Sequence, residues 1–150
     1  MKIFLTGATG YIGSAVAATL TRVGHQVRGL TRSRERAAEL AAAGITPVVG
    51  DLAHPETFAL SAAECHALVH IGYETGPRAP EVDRLALTAL LEAARAVKRP
   101  RTVVYTSGVW VVGAHRGAPA VEEDPPAPLP VVSWRPALED LALKAAGGAR

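Results

Sequence analysis

"TGATGYIG", residues Thr6 to Gly13, follows the run Lys2-Ile3-Phe4-Leu5 and leads into Ile12, Val16, Leu20 and Val23, which recur at helical spacing until Gly24. The β-branched and aromatic run predicts a buried strand, and the periodic run predicts a helix. The glycines therefore sit where a strand turns into a helix. A helix N-terminus presents unpaired backbone N–H groups and a partial positive charge, which together attract a phosphate. Gly7, Gly10 and Gly13 each remove a Cβ that would obstruct the turn, the approach of a pyrophosphate, or the packing of helix on sheet. Their G-x-x-G-x-x-G spacing is a variant of the G-x-G-x-x-G dinucleotide pattern. The stretch predicts a cradle for a phosphate-bearing cofactor.

Outward from this turn the chain alternates. His25 to Leu30 predicts a second strand, Ser33 the N-cap of a helix running through Ala43, and Gly44 its stop. Ile45 to Val49 predicts a third strand, Pro55 the first turn of a short helix over 55–63, and Ala67 to Ile71 a fourth strand. Pro80 opens the longest helix, with Val82, Leu85, Ala89 and Ala93 as its buried stripe and Pro100 as its end, and Arg101 to Thr106 predicts a fifth strand. The stretch from Gly113 to Pro130 carries Pro119, Pro125, Pro126, Pro128 and Pro130 beside Glu122, Glu123 and Asp124, which predicts a loop. Trp134 to Lys144 predicts a last helix before Gly147 and Gly148. Strands alternating with helices predict an α/β fold, a doubly wound parallel sheet of five strands with helices on both faces and right-handed crossovers.

Composition agrees with one domain over residues 1–150: 49% of the chain is apolar and 20% charged. No apolar run reaches membrane-spanning length, and the first residues belong to a strand instead of a targeting leader, so the expected location is cytoplasmic with no membrane partner. The single Cys65 has no internal disulfide partner and reads as a small buried residue. The net charge of +2 hides a concentration of Arg22, Arg28, Arg32, Arg34 and Arg36. With no recognition-helix motif and no interleaved aromatics, these read as a solvated face plus a local phosphate site, with no nucleic-acid partner. Histidines 25, 54, 66, 70 and 115 are dispersed, and the i, i+4 pair His66 and His70 falls on a strand and its approach, so no metal is expected.

Five stretches carry a family resemblance: "TGATGYIG", then "GDL" at Gly50 to Leu52, "VHIG" at Val69 to Gly72, "LLEAAR" at Leu90 to Arg95, and "VVYTSGVWVVG" at Val103 to Gly113. In order and spacing they resemble the extended short-chain dehydrogenase/reductase family, the NAD-dependent epimerase/dehydratases. The resemblance implies a Rossmann-like domain. It implies that Gly7, Gly10 and Gly13, with backbone near Tyr11 and Ile12, hold a pyrophosphate. It implies that Asp51 accepts from the adenine amino group while Leu52 packs on the ring, and that Ile71, Gly72 and Tyr73 line the adenosine and ribose channel.

Cofactor choice follows from charge. An NAD site wants an acidic side chain at the end of the second strand to bond the ribose 2′-hydroxyl, whereas a 2′-phosphate wants cations there. That place reads Leu30-Thr31-Arg32-Ser33, with Arg36 one turn on. Arg32 offers a forked guanidinium and Ser33 a hydroxyl or backbone donor, which predicts NADP(H) in preference to NAD(H).

Chemistry is where the chain departs from the family. Its reductases and epimerases usually use Tyr-x-x-x-Lys, in which a Lys ammonium helps lower the phenol pKa from roughly 10 so that it exchanges protons near neutrality. The three tyrosines here, 11, 73 and 105, are followed four residues on by Ala15, Pro77 and Val109. Where the dyad would fall stands Trp134-Arg135-Pro136-Ala137-Leu138, and Asp83 stands where many members have Asn. The remaining candidates for catalysis are Thr106, Ser107 and Tyr73. Members of the family are usually much longer, with a C-terminal lobe that shapes the substrate pocket and has no counterpart in these 150 residues. Two functions stay open: an atypical oxidoreductase or epimerase acting on an unidentified small molecule, and a non-catalytic module that senses the dinucleotide or binds a partner. A fifth strand lacking its usual cover predicts pairing with another copy.

Overall fold

Ile3, Phe4, Leu5 and Thr6 of the first strand, β1 (Lys2–Thr6), are all buried in the computed structural model. Phe4 joins an apolar cluster with Phe58, Leu68, Ala86 and Leu90, while its neighbour Leu5 joins another with Ala17, Val27, Leu40 and Ile45. Successive strand side chains point to opposite faces, so this sheet is covered on both. The structure describes all residues except 97–98, 115–118 and 146–150; His115, part of the proline-rich stretch, and Gly147 with Gly148 lie outside the described residues.

After β1 come α1 (Tyr11–Arg22), β2 (Gln26–Thr31), α2 (Arg34–Ala42), β3 (Thr46–Val49), a 3-10 turn (Pro55–Thr57), α3 (Ala59–Ala63), β4 (Ala67–His70), α4 (Ala79–Arg95) and β5 (Thr102–Tyr105). The strands form one parallel sheet in the order β3-β2-β1-β4-β5, which is the five-stranded α/β architecture expected from the alternation. Helices α1 and α2 supply Ala17 and Leu40 to the Leu5 face, and α3 and α4 supply Ala62, Ala86 and Leu90 to the Phe4 face.

The chain runs outward from β1 to β2 and β3, then returns to place β4 on the other side of β1. That reversal opens a crevice at the carboxyl ends of β1 and β4, the usual ligand position in open α/β sheets. The glycine turn leaves β1 there, and Ile71 and Gly72 leave β4 beside it. Register adds a row: Thr6 lies opposite His70, and His70 opposite Tyr105.

Two local readings change. The expected helix over 55–63 is interrupted at the buried Phe58, which stacks on Phe4 with ring centroids 5.8 Å apart. The buried face of α4 is wider than the expected stripe: Leu85 is half-buried, whereas Asp83, Ala86, Leu87, Leu90 and Leu91 are buried. A helix beneath a sheet covers more than one row of side chains.

The chain divides into two compact units, Met1–Tyr105 and Thr106–Arg150. In the second, 3-10 turns at Val109–Val111 and Pro130–Val132 precede α5 (Arg135–Ala145). The proline-rich stretch folds back through bonds from Ala127 N–H to the Val111 carbonyl (3.0 Å) and from Leu129 N–H to the Trp110 carbonyl (3.1 Å). Among the described residues no helix is long and apolar enough to cross a membrane.

Candidate functional site

Gly7 adopts φ +70°, and a Cβ there would lie 2.8 Å from Gly72 N. A Cβ on Gly13 would lie 2.0 Å from the Gly7 carbonyl oxygen. These contacts are too short for any other residue, so the turn leaving β1 is held tightly against both β4's exit and the start of α1. Gly10 has ordinary extended backbone and serves as the N-cap of α1, its N–H donating to the Gly7 carbonyl at 2.9 Å. It brings no capping side chain, so the N–H groups of Tyr11, Ile12 and Gly13 have no partner within the helix. Tyr11 is 96% exposed and leaves the turn uncovered.

A cleft of about 90 Å³ opens beside this turn. Gly7 and Thr9 form one wall, Leu30, Thr31 and Arg32 from the end of β2 a second, Gly50, Asp51 and Leu52 a third, and Gly72, Tyr73 and Glu74 a fourth. Gly7, Arg32, Asp51, Leu52, Gly72 and Tyr73, each named from the sequence, thus meet around one space. Gly10, Tyr11, Ile12 and Gly13 form the adjoining turn and the first turn of α1. Ser33 and Ile71 do not line the cleft: the Ser33 hydroxyl accepts from Arg36 N–H at 3.3 Å as the N-cap of α2, and Ile71 packs toward the Leu5 cluster.

Charge at the cleft is mixed. Arg32 Nη1 donates to Glu74 Oε2 at 3.1 Å, and Arg36 Nη1 reaches the Thr9 carbonyl at 3.4 Å, bringing a second guanidinium to the glycine turn. Asp51 Oδ1 accepts from Ala53 N–H at 2.9 Å, a local bond that fixes its carboxylate at the rim.

Beneath the cleft lies a polar network that the sequence reading did not assemble. Thr6 Oγ1 accepts from Ile71 N–H (3.1 Å) and Gly72 N–H (2.9 Å), and lies 2.6 Å from His70 Nδ1. A threonine hydroxyl has two lone pairs and one hydrogen. With both lone pairs used, its hydrogen goes to Nδ1, which assigns the Nε2–H tautomer to His70. That Nε2–H donates to Asp83 Oδ1 at 2.8 Å, and the Tyr105 hydroxyl donates to Asp83 Oδ2 at 2.6 Å. The signal in the sequence was a carboxylate set four and seven residues before Leu87 and Leu90 on an otherwise apolar face. His70 carried no such signal, because a lone histidine in a strand has no period of its own.

Of the candidates for catalysis, Tyr73 is half-exposed at the cleft. Thr106 is exposed, and its carbonyl accepts from Arg135 Nη1 at 3.2 Å. Ser107 Oγ is buried and has no hydrogen-bond partner among the described residues. Trp134 precedes α5, with the Arg135 guanidinium 4.8 Å from its ring, and Leu138 is buried.

The residues present fit a dinucleotide: a tight glycine cradle with no room for a Cβ, an uncapped helix N-terminus, and guanidinium groups at the same turn. A family model described as NAD(P)H-binding matches residues 7–125. The chain belongs to this NAD(P)H-binding family. The NAD(P)H-binding chain is 36% identical over 136 residues to the uncharacterized protein C2A9.02 of Schizosaccharomyces pombe, covering 87% of this chain and 45% of that protein. It is 33% identical over 156 residues to a 4-hydroxy-2-methyl-3-oxo-4-farnesyl-3,4-dihydroquinoline-1-oxide ketoreductase of Stigmatella aurantiaca, covering 98% of this chain and 46% of that one. Among solved structures it is similar to a short-chain dehydrogenase/reductase superfamily protein of Agrobacterium tumefaciens with bound NAD, with a TM-score of 0.76, 25% identity, and coverage of 97% of this chain and 44% of that one. The resemblance to short-chain dehydrogenase/reductases holds, and the chain spans a little under half the length of these relatives.

Proposed function

We propose that this chain binds NADP(H) in preference to NAD(H) and belongs to an oxidoreductase-type activity on a small carbonyl or alcohol substrate. The observation that carries the reading is the cleft lined by Gly7, Thr9 and Arg32, beside the glycine turn that leads into the uncapped start of α1. In this reading the N–H groups of Tyr11, Ile12 and Gly13 hold the pyrophosphate, as helix N-termini hold anions. Gly7 and Gly72 keep the backbone close, Leu52 packs on the adenine, and Asp51 turns its carboxylate toward the adenine amino group. Arg32 holds the 2′-phosphate, while Ser33 and Arg36 fix the start of α2 behind it and Ile71 backs the ribose wall.

When bound, the reduced cofactor supplies a hydride to a carbonyl carbon. This chain's part in that step is to hold the carbonyl oxygen and bring it a proton. Ser107, with a buried hydroxyl that lacks a partner among the described residues, is one candidate for that part, with Thr106 beside it in sequence; Tyr73, a phenol at the cleft, is the alternative. The ketoreductase name of one relative supports carbonyl reduction as the first class to try.

A second reading, a non-catalytic dinucleotide sensor that reports to a partner, is favoured by the sequence itself, since no Tyr-x-x-x-Lys occurs. Steady oxidation of NADPH across a panel of aldehydes and ketones separates the two. The oxidoreductase reading expects turnover that falls at least tenfold in Ser107→Ala. Saturable NADPH binding with no turnover on any member of the panel would favour the sensor.

A further inference from the structure

The ion pair between Arg32 and Glu74 joins two walls of the cleft, the end of β2 and the exit of β4. Arg32 is the more open partner, 66% exposed against 29% for Glu74. Resting on the dinucleotide reading above, we propose that Glu74 is a determinant of cofactor choice that opposes the 2′-phosphate and accepts the 2′-hydroxyl, so that Arg32 and Glu74 together set the ratio of NADP(H) to NAD(H) affinity.

A guanidinium carries five N–H donors, and Glu74 is placed to take one of them across 3.1 Å, leaving others for a phosphate. The carboxylate of Glu74 accepts only. A 2′-phosphate brings about 1.5 to 2 negative charges and three acceptor oxygens, none of which Glu74 can satisfy. Seated on Arg32, it would stand within a few ångströms of that carboxylate and be repelled. A ribose 2′-hydroxyl is a donor, and carries no such conflict. NAD sites commonly take this bond from an acidic residue at the end of the second strand. Here that strand is followed by Arg32, and the carboxylate arrives from the neighbouring wall. Asp51, the other carboxylate at the cleft, has Oδ1 engaged by Ala53 N–H. Because the Arg32 side chain is largely solvated, the pair is weak enough for either cofactor to rearrange it.

The test titrates the 150-residue chain and its Glu74→Gln and Arg32→Gln variants with NADPH and with NADH, following nucleotide fluorescence, with circular dichroism to establish folding. Glu74→Gln removes the charge and keeps the shape. It is expected to raise the NADPH-to-NADH affinity ratio about tenfold, with a smaller effect at high salt. Arg32→Gln is expected to lower the ratio. A Glu74→Gln ratio within twofold of the native one, alongside a clear drop in Arg32→Gln, would overturn the role of Glu74 and leave the dinucleotide reading standing. No binding of either nucleotide by the folded native chain would overturn both.

Discussion

His70 Nε2 donates to Asp83 Oδ1 across 2.8 Å, with the two side chains only 1% and 3% exposed. The carboxylate also accepts from Tyr105, and His70 in turn receives the hydroxyl of Thr6, the residue immediately before the glycine turn. One chain of hydrogen bonds, buried from Thr6 to Asp83, therefore ties β5, α4 and β4 to the point where β1 enters the glycine turn. Asp83→Leu takes the acceptor from the buried His70 Nε2–H and one bond from the Tyr105 hydroxyl, at about 1–3 kcal/mol for the unsatisfied imidazole N–H and about 1 kcal/mol for the lost hydroxyl bond. The predicted loss is about 3 kcal/mol in urea unfolding. Asp83→Asn keeps an acceptor for His70, and the Tyr105 hydroxyl can rotate to accept from the amide, so its loss is predicted at about 1 kcal/mol or less. Equal losses in the two variants would contradict the donor assignment.

That network marks the boundary of what the sequence could tell. Alternation of apolar runs with glycine and proline stops located the five strands and the helices α1, α2, α4 and α5 to within a few residues, because the period and the punctuation are local. The glycine turn and the Gly50 to Leu52 and Ile71 to Gly72 landmarks likewise pointed to one region, since open α/β sheets bind ligands at a topological reversal. Partnerships across elements were not legible. Arg32 facing Glu74 and Asp83 facing His70 depend on which strands become neighbours, at separations of 42 and 13 residues that carry no period. Ser33 shows the reverse: its capping of α2, a role set by its immediate neighbours, is legible in the sequence and is what its hydroxyl does, accepting from Arg36 N–H.

Gly13 has no space for a side chain. Gly13→Ala places a Cβ where the Gly7 carbonyl oxygen lies, 2.0 Å away, and the turn must open. The expected cost is about 1–3 kcal/mol, as for other overpacked sites, together with at least a tenfold loss of dinucleotide affinity. Gly108→Ala, where a Cβ meets nothing within 4 Å, is the matched control and is expected to stay near native in thermal unfolding. Native nucleotide affinity in Gly13→Ala would remove the cradle from the account.

Burial pushes the Cys65 thiol above its ordinary range, outweighing the nearby Arg28 and Arg101 charges that favour the thiolate. The unfolded chain ionises this thiol near about 8.5, whereas the folded chain resists ionisation. The unfolded state therefore binds fewer protons in alkali, so the contribution is complete below that pH and is lost as pH rises through the folded value. Unfolding measured from pH 7 to 10 is predicted to show a smaller alkaline decline in Cys65→Ala than in the native chain. An identical decline in both would contradict the assignment.

Strand β5 stands at one end of the sheet order, and its Val104 is 46% exposed. Edge strands with apolar side chains pair readily with other chains. We predict self-association, seen as a sedimentation coefficient that rises with concentration and falls toward the monomer value in Val104→Lys. A monomer at every concentration would contradict it.

The central claim is that the turn from Thr6 to Gly13 is a working phosphate cradle, and a fluorescence titration of the folded chain with NADPH and, separately, NADH tests it most directly. The account predicts saturable binding of both nucleotides, tighter for NADPH. A folded chain that binds neither would contradict it, and the glycines would then serve the architecture of the sheet alone.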